Sequence, residues 1–269
     1  RNSCYAGDQT SLGSKQPDEP GRDFYVIEQV AQRRPLVIAH RGASAQEPEM
    51  TAAAYQRAVS DGADGLECDV RLSRDGVLVL IHDATVNRTT AGRGSVRSMT
   101  YAELAPLGII TLDELIDLAE SVSPGLSLSI ETKHPGVGSM YLEQAVYERL
   151  RARRRLDPQN NRVMSFSLSA LRRMRSLDAQ LPLVYLFDRP PQHCTDGGLP
   201  AGITIAGISL AGLRSMPDYV ARVHEHGYEV HVWTVNTEAD LQWCVDRDVD
   251  ALITNHPGRA RRMLGAATP

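Results

Sequence analysis

No stretch of this 269-residue sequence approaches the ~20 apolar residues needed to cross a bilayer as a helix, so no membrane-spanning segment is expected in it. Neither sign of charge dominates. Lys and Arg number 29 against 33 Asp and Glu, a net charge of −4 that gives no general attraction to nucleic acid, and no nucleic-acid partner is expected. The Arg-rich runs 151–155 and 172–175 fall on helix-like segments and read as solvated helix faces. Four cysteines, Cys4, Cys68, Cys194 and Cys244, are scattered without CxxC spacing, which argues against a zinc site or a disulfide-dense scaffold and leaves room for one disulfide. Internal repeats are absent beyond an alternation of strand and helix signals. Residues 1–23 lack apolar periodicity and have the Ser, Gly, Asp, Gln and Pro content of a tail. An initiator Met is missing too, so an upstream segment is expected, a signal peptide or a single membrane anchor. That favours a secreted or anchored location over a cytoplasmic one.

The 42% hydrophobic content can build a large core. Residues 1–34 read as a polar tail with a short lead-in helix, Phe24–Gln32, and residues 35–269 as a single domain. Strand-like runs recur at 36–40, 65–70, 126–132, 162–166, 183–187, 204–209, 229–235 and 250–254, most separated by helix signals. Eight strands alternating with helices predict a (β/α)₈ barrel, with a doubly wound α/β sheet as the alternative. The segment 188–203, with Pro190 and Pro191, carries no helix signal. Helices are predicted over 48–60, from Thr111 with Glu114 as its capping-box partner, and over 139–154. In the second of these, Leu112, Leu115, Ile116 and Ala119 form the apolar stripe.

Chemistry concentrates between Leu36 and Asp83. The first apolar run delivers His40 and Arg41 to its carboxyl end. In the next strand Glu67 and Asp69 lie two apart and share a side, while Leu66, Cys68 and Val70 take the other, where Cys68 packs as a small hydrophobe. Asp75-Gly76 then signals a hairpin, whose return strand adds an extension after the second barrel strand. A two-residue turn there places Arg74 opposite Val77 and His82 opposite Asp69. The strand 126–132 sets Glu131 and Lys133 on one side. In a barrel these groups, with Trp233 and Asn236, converge on the carboxyl-end rim.

Glu67, Asp69 and Glu131 offer only oxygen ligands, which suits one hard divalent cation, Mg²⁺ or Ca²⁺ ahead of Mn²⁺. Arg41 and Lys133 suit a phosphate, and His40 and His82 suit general acid and base work on either side of phosphorus. Together they describe metal-assisted phosphodiester cleavage.

The segments AHRGAS (39–44), PEMT (48–51), GADGLECDVRLSRDGVLVLIHD (62–83), TLDEL (111–115), SIETK (129–133), VWTVN (232–236) and LITNHP (252–257) resemble the glycerophosphodiester phosphodiesterase family. The resemblance implies a TIM barrel and a divalent cation. It also implies hydrolysis of a small glycerophosphodiester to an alcohol and glycerol 3-phosphate, hence a hydrolase of glycerol and lipid metabolism. By position, Glu67, Asp69 and Glu131 match the metal ligands, His40 and His82 the acid/base pair, Arg41 the phosphate contact and Lys133 its neighbour. Trp233 matches an aromatic at the substrate mouth, and Glu49 an acid near the metal; Glu47 lies close by in sequence. The chain departs from the pattern at Met50, where Asn is usual, and at Asn255, where Asp is common. A sphingomyelinase-type phospholipase D is similar in its HRG opening, but such proteins carry cysteines in the loops after the metal strand, and none lies between Cys68 and Cys194. Lysophospholipase D action on lipid diesters and a non-catalytic phosphodiester-binding barrel are the remaining alternatives.

Overall fold

The computed structural model describes residues 34–122, 125–133 and 141–265; the helix expected over Phe24–Gln32 and the polar tail lie outside the described residues. The chain runs β1 (Leu36–His40), α1 (Ala52–Ser60), β2 (Gly65–Leu72), β3 (Leu78–Leu80), α2 (Tyr101–Leu104), α3 (Leu112–Val122) and β4 (Ser127–Thr132). It continues α4 (Tyr141–Ala152), β5 (Asn161–Ser165), α5 (Leu168–Leu177), β6 (Leu183–Phe187), β7 (Ile205–Ser209), α6 (Leu210–Ser215) and α7 (Tyr219–Glu225). Last come β8 (Glu229–Trp233), α8 (Glu238–Val245), β9 (Ala251–Thr254) and α9 (Pro257–Met263). The eight barrel strands each lie within two residues of the runs read from sequence.

The parallel order β1-β9-β8-β7-β6-β5-β4-β2 closes because β1 also pairs with β2, so no barrel edge stays unpaired; β3 hangs antiparallel on β2. Strand alternation divides the core. Outward residues such as Val37, Ala39, Leu66, Cys68, Leu128 and Ile130 pack with the helices in the main cluster. Inward residues Ile38, Met164, Val184, Leu186, Ile205, Ala251 and Ile253 fill the barrel. Cys68, Cys194 and Cys244 are buried free thiols, so no disulfide forms among the described cysteines. No helix among the described residues is long and apolar enough to cross a membrane.

Local signals hold where side chains cap or pack. Thr111 Oγ1 accepts from Glu114 N at 3.1 Å while Glu114 takes Thr111 N at 2.7 Å, and the stripe Leu112, Leu115, Ile116 and Ala119 is buried. The β6–β7 connection carries only a single 3₁₀ turn, Gln192–Cys194. Most of the Arg runs are solvated or ion-paired, Arg153 with Asp113, Asp117 and Glu120, and Arg173 with Glu143, but Arg155 departs from the expected solvated face: it lies past the end of α4, is 6% exposed and donates to the Leu126 carbonyl at 2.9 Å.

The hairpin register differs from expectation by one residue. Leu72 faces Leu78 and Val70 faces Leu80, so Ser73 faces Val77 and the loop has three residues, Arg74-Asp75-Gly76. Gly76 takes the left-handed region at φ +79°, which turns the loop into a bulge. Asp75 causes the slip: its carboxylate accepts from Ser73 Oγ (2.6 Å) and from Tyr101 N at the start of α2 (3.0 Å), while Ser73 Oγ accepts from Val77 N. Ile81, not His82, therefore bonds to Asp69, its N–H reaching the Asp69 carbonyl at 3.0 Å.

The loop after β1 is pressed onto α1. Gly42 has φ +81°, and a Cβ there would stand 2.6 Å from the Ala54 carbonyl carbon. Gly42→Ala combines left-handed strain with a backbone overlap, each worth about 1–3 kcal/mol. A thermal melt should therefore show a loss of several degrees, and an unchanged midpoint would contradict the packing.

Candidate active site

Barrel register builds the site. His40 is the Cα partner of Glu67 across β1–β2, and Asp69 is the partner of Glu131 across β2–β4. Inward-facing residues of two adjacent strands, β2 and β4, thus bring the acids together, with His40 beside them at the end of β1. Glu67, Asp69 and Glu131 are 2%, 0% and 7% exposed, and each offers a ligand atom within 4.8 Å of the others. Lys133 Nζ stands 2.6 Å from Glu131 and 3.1 Å from Asp69, and Arg41 Nε stands 2.9 Å from Asp69. The Arg41 backbone N–H donates to Glu67 at 3.0 Å.

Three buried acids cannot all ionise cheaply beside two cations. Burial and the neighbouring Asp69 push Glu67 far above the usual carboxylate range, and the same causes push Glu131 up to about 7. Burial also acts upward on Asp69, but Lys133 and Arg41 outweigh it and hold Asp69 low. Both Asp69 oxygens are buried without a hydrogen bond of good geometry, despite their two close cations. All-oxygen donors, tight convergence and orphaned lone pairs fit a hard divalent ion.

Both imidazoles line one cavity of about 280 Å³, with Arg41, Glu67, Glu131 and Lys133. His40 Nδ1 is 2.7 Å from Asn255 Oδ1, which also accepts from Ser44 Oγ. Burial, then the charge of Arg41, pushes His40 down to about 4. His82 leaves the strand after β3 and is held differently. Arg71 Nε and Nη2 donate to its carbonyl at 3.0 and 2.7 Å, and its Nδ1 is 2.7 Å from Asp83 Oδ1. Burial lowers His82 while the Asp83 contact raises it, with a net downward shift.

The opposite wall of the cavity is apolar, formed by Met164, Leu186, Ile253, Phe166 and Trp233. Trp233 donates Nε1–H to the Gly207 carbonyl at 3.1 Å and meets Phe166 edge-on at 5.5 Å. Asn236 lies back from the cavity, its Oδ1 accepting from Asn255 N at 2.9 Å, so it fixes the loop that carries Asn255. Glu49 stands apart from the acid cluster, accepting from Arg41 Nη1 at 3.3 Å and from Arg88.

Met50, where the family usually has Asn, is left-handed at φ +56°, 4% exposed, and donates its N–H to the Arg41 carbonyl at 2.9 Å. Asn tolerates that conformation and would relieve roughly 1 kcal/mol, but burying a Met side chain contributes about 1.5–3 kcal/mol, and an amide in its place carries a desolvation cost. Burial wins. Met50→Asn should lower the melting midpoint by a few degrees, and a rise would reverse that ranking.

Sequence reasoning missed Asp83, Arg88 and all of the apolar wall except Trp233. Strand parity could have found Met164, Leu186 and Ile253, the inward residues near the ends of β5, β6 and β9. Arg88 has no such signal, because it joins two loops.

Comparison with known proteins agrees with this fold. Residues 40–259 match the model of the glycerophosphoryl diester phosphodiesterase family. A probable glycerophosphodiester phosphodiesterase 1 of Mycobacterium tuberculosis is 36% identical over 260 residues, covering 88% of this chain and 95% of that protein. The crystal structure of a glycerophosphodiester phosphodiesterase from Agrobacterium tumefaciens superposes with a TM-score of 0.70 at 26% identity, over 84% of this chain and 98% of that one. A phosphodiesterase from Oleispira antarctica, solved with its product sn-glycerol-3-phosphate, superposes with a TM-score of 0.71 at 25% identity, over 86% and 96%. The chain belongs to the glycerophosphoryl diester phosphodiesterase family, enzymes that hydrolyse glycerophosphodiesters.

Proposed function

We propose that this enzyme releases an alcohol and glycerol 3-phosphate, with Glu67, Asp69 and Glu131 holding one divalent cation, Mg²⁺ or Ca²⁺, and His40 and His82 exchanging the protons. One observation carries the reading: two imidazoles face the same small cavity beside three convergent acids, each with Nδ1 already engaged and Nε2 left for the substrate. The Oleispira neighbour, with glycerol 3-phosphate as its product, supports a substrate of that size.

When bound, the cation draws charge from the phosphoryl oxygens. Arg41 offers its guanidinium and Lys133 its ammonium to the same oxygens. His40 is anchored on a neutral amide and kept neutral by burial, which makes it the base. It takes the proton of the glycerol hydroxyl next to the phosphate, whose oxygen bonds to phosphorus. His82, whose charged form is stabilised by Asp83, gives its proton to the departing alkoxide. A cyclic phosphate results. In the second step the histidines exchange roles: one takes a proton from water as it opens the ring, and the other returns a proton to the glycerol oxygen.

A second reading, action on lipid diesters, is favoured by the apolar wall of Met164, Phe166, Leu186, Trp233 and Ile253. Turnover of glycerophosphocholine and of lysophosphatidylcholine, each with and without EDTA, tests both. Full glycerophosphocholine turnover in EDTA would remove the cation from the reaction, and a clear preference for the lysolipid would favour the second reading.

A further inference from the structure

Arg88 is 48% exposed and stands outside the cavity, yet its guanidinium makes four hydrogen bonds to two carboxylates. Nε and Nη2 reach Asp83 at 2.7 and 3.2 Å, and Nη1 and Nη2 reach Glu49 at 3.0 and 2.7 Å. Each carboxylate then touches a functional group: Asp83 meets His82 Nδ1 at 2.7 Å, and Glu49 meets Arg41 Nη1 at 3.3 Å. A continuous path, Arg41–Glu49–Arg88–Asp83–His82, joins the loop after β1 to the loop after β3.

Backbone structure alone does not hold His82, because β3 ends at Leu80 and the ladder stops before the imidazole. Its carbonyl is tied by Arg71, which leaves rotation of the ring to Asp83. Asp83 is a partly exposed side chain that would otherwise choose among rotamers and solvent. The fork of Arg88 fixes its plane. Contact with Arg88, before its contact with His82, also holds Asp83 down to about 2, so the carboxylate keeps its charge wherever the enzyme works.

We infer that Arg88 is a positioning residue for the hydrolysis, a latch that aims His82 through Asp83. The inference rests on the reading of His82 as the acid for the departing alkoxide. Arg88 is not itself a phosphate ligand, since four of its five N–H groups are engaged by carboxylates. Exposed ion pairs contribute little to folding, so the latch acts on geometry and not on stability.

The test compares Arg88→Gln, Arg88→Lys and Asp83→Asn with His82→Ala on two substrates, glycerophosphocholine and the 4-nitrophenyl ester of glycerol 3-phosphate, whose leaving group needs no proton. Arg88→Gln should lower kcat on glycerophosphocholine by about 10- to 100-fold, a fraction of a full general-acid contribution, and stay within about threefold of wild type in first-turnover nitrophenolate release from the aryl ester. Asp83→Asn should follow the same pattern, and Arg88→Lys should recover only part, because one ammonium cannot make two forked contacts. Arg88→Gln added to His82→Ala should cost little more than His82→Ala alone. Equal losses on both substrates, or full additivity with His82→Ala, would overturn the latch. So would normal glycerophosphocholine turnover by Arg88→Gln where His82→Ala is crippled. If His82→Ala itself kept normal turnover, the acid assignment would fall and the inference with it. Thermal melts of all variants keep a folding defect separate from the kinetic pattern.

Discussion

The His82→Ala enzyme should turn over glycerophosphocholine about 10²- to 10⁴-fold more slowly than wild type, because the choline alkoxide needs a proton as it leaves. On the 4-nitrophenyl ester the same variant should release nitrophenolate in the first turnover close to the wild-type rate, because His82 serves that substrate only in the later opening of the cyclic phosphate. His40→Ala should lose a similar factor on both substrates, since the attacking hydroxyl must be deprotonated whatever the leaving group. The assignment follows from the Nδ1 partners: a neutral amide oxygen from Asn255 for His40, an ionised carboxylate from Asp83 for His82. The signs of the pH limbs follow too. His40, pushed down to about 4 by burial and Arg41, is the free base above that pH, so with saturating cation its limb is a fall in rate as pH drops toward 4. His82 must be protonated in the first step, so its limb there is a fall as pH rises, and that limb should vanish in first-turnover release from the aryl ester and in His82→Ala. A His82→Ala enzyme with near-normal glycerophosphocholine turnover would refute the assignment.

What could be seen in the sequence was what strand periodicity carries. Glu67 and Asp69 share a face because they are two apart on β2, and Glu131 joins them because β4 pairs with β2 in register. The barrel was legible for a related reason, since the strands are runs of ordinary length and most are separated by helix signals. His82 was harder. The Asp75-Gly76 signal marks a turn, but whether the loop holds two or three residues is decided by Asp75 reaching Tyr101 N and Ser73 Oγ, contacts that a local pattern does not contain. His82 still arrives at the cavity, through a bend held by Arg71 and not through the ladder. Arg88 was invisible because it reaches Glu49, 39 positions away, from one loop to another, where no period operates.

Chelation should abolish activity, and Mg²⁺ or Ca²⁺ should restore it, with one ion bound per chain. Behind this expectation stand three converging buried acids, of which Asp69 keeps both oxygens without a well-aligned donor although Arg41 and Lys133 stand close. Carboxylates bind a cation only when deprotonated, and in the metal-free site burial and Asp69 hold Glu67 high and Glu131 at about 7. Cation uptake near neutral pH should therefore release protons, and affinity should weaken as pH falls below about 7. Calorimetry in buffers of different ionisation enthalpy would measure both. Stability gives an independent sign. Glu131 has a folded pKa raised above its unfolded value, so its favourable contribution is present below about 4.5 and is lost as pH rises through about 7. The chelated enzyme should accordingly lose stability across that window, while Glu131→Gln, which cannot ionise, should show a flatter slope. Saturating cation should remove the loss by stabilising the ionised form. Glu67→Gln or Asp69→Asn should each weaken cation binding strongly and lower kcat with it. Titration of the chelated protein with Mg²⁺ and with Ca²⁺ decides the matter: if neither ion produces heat or shifts the melt, the three acids do not form a cation site.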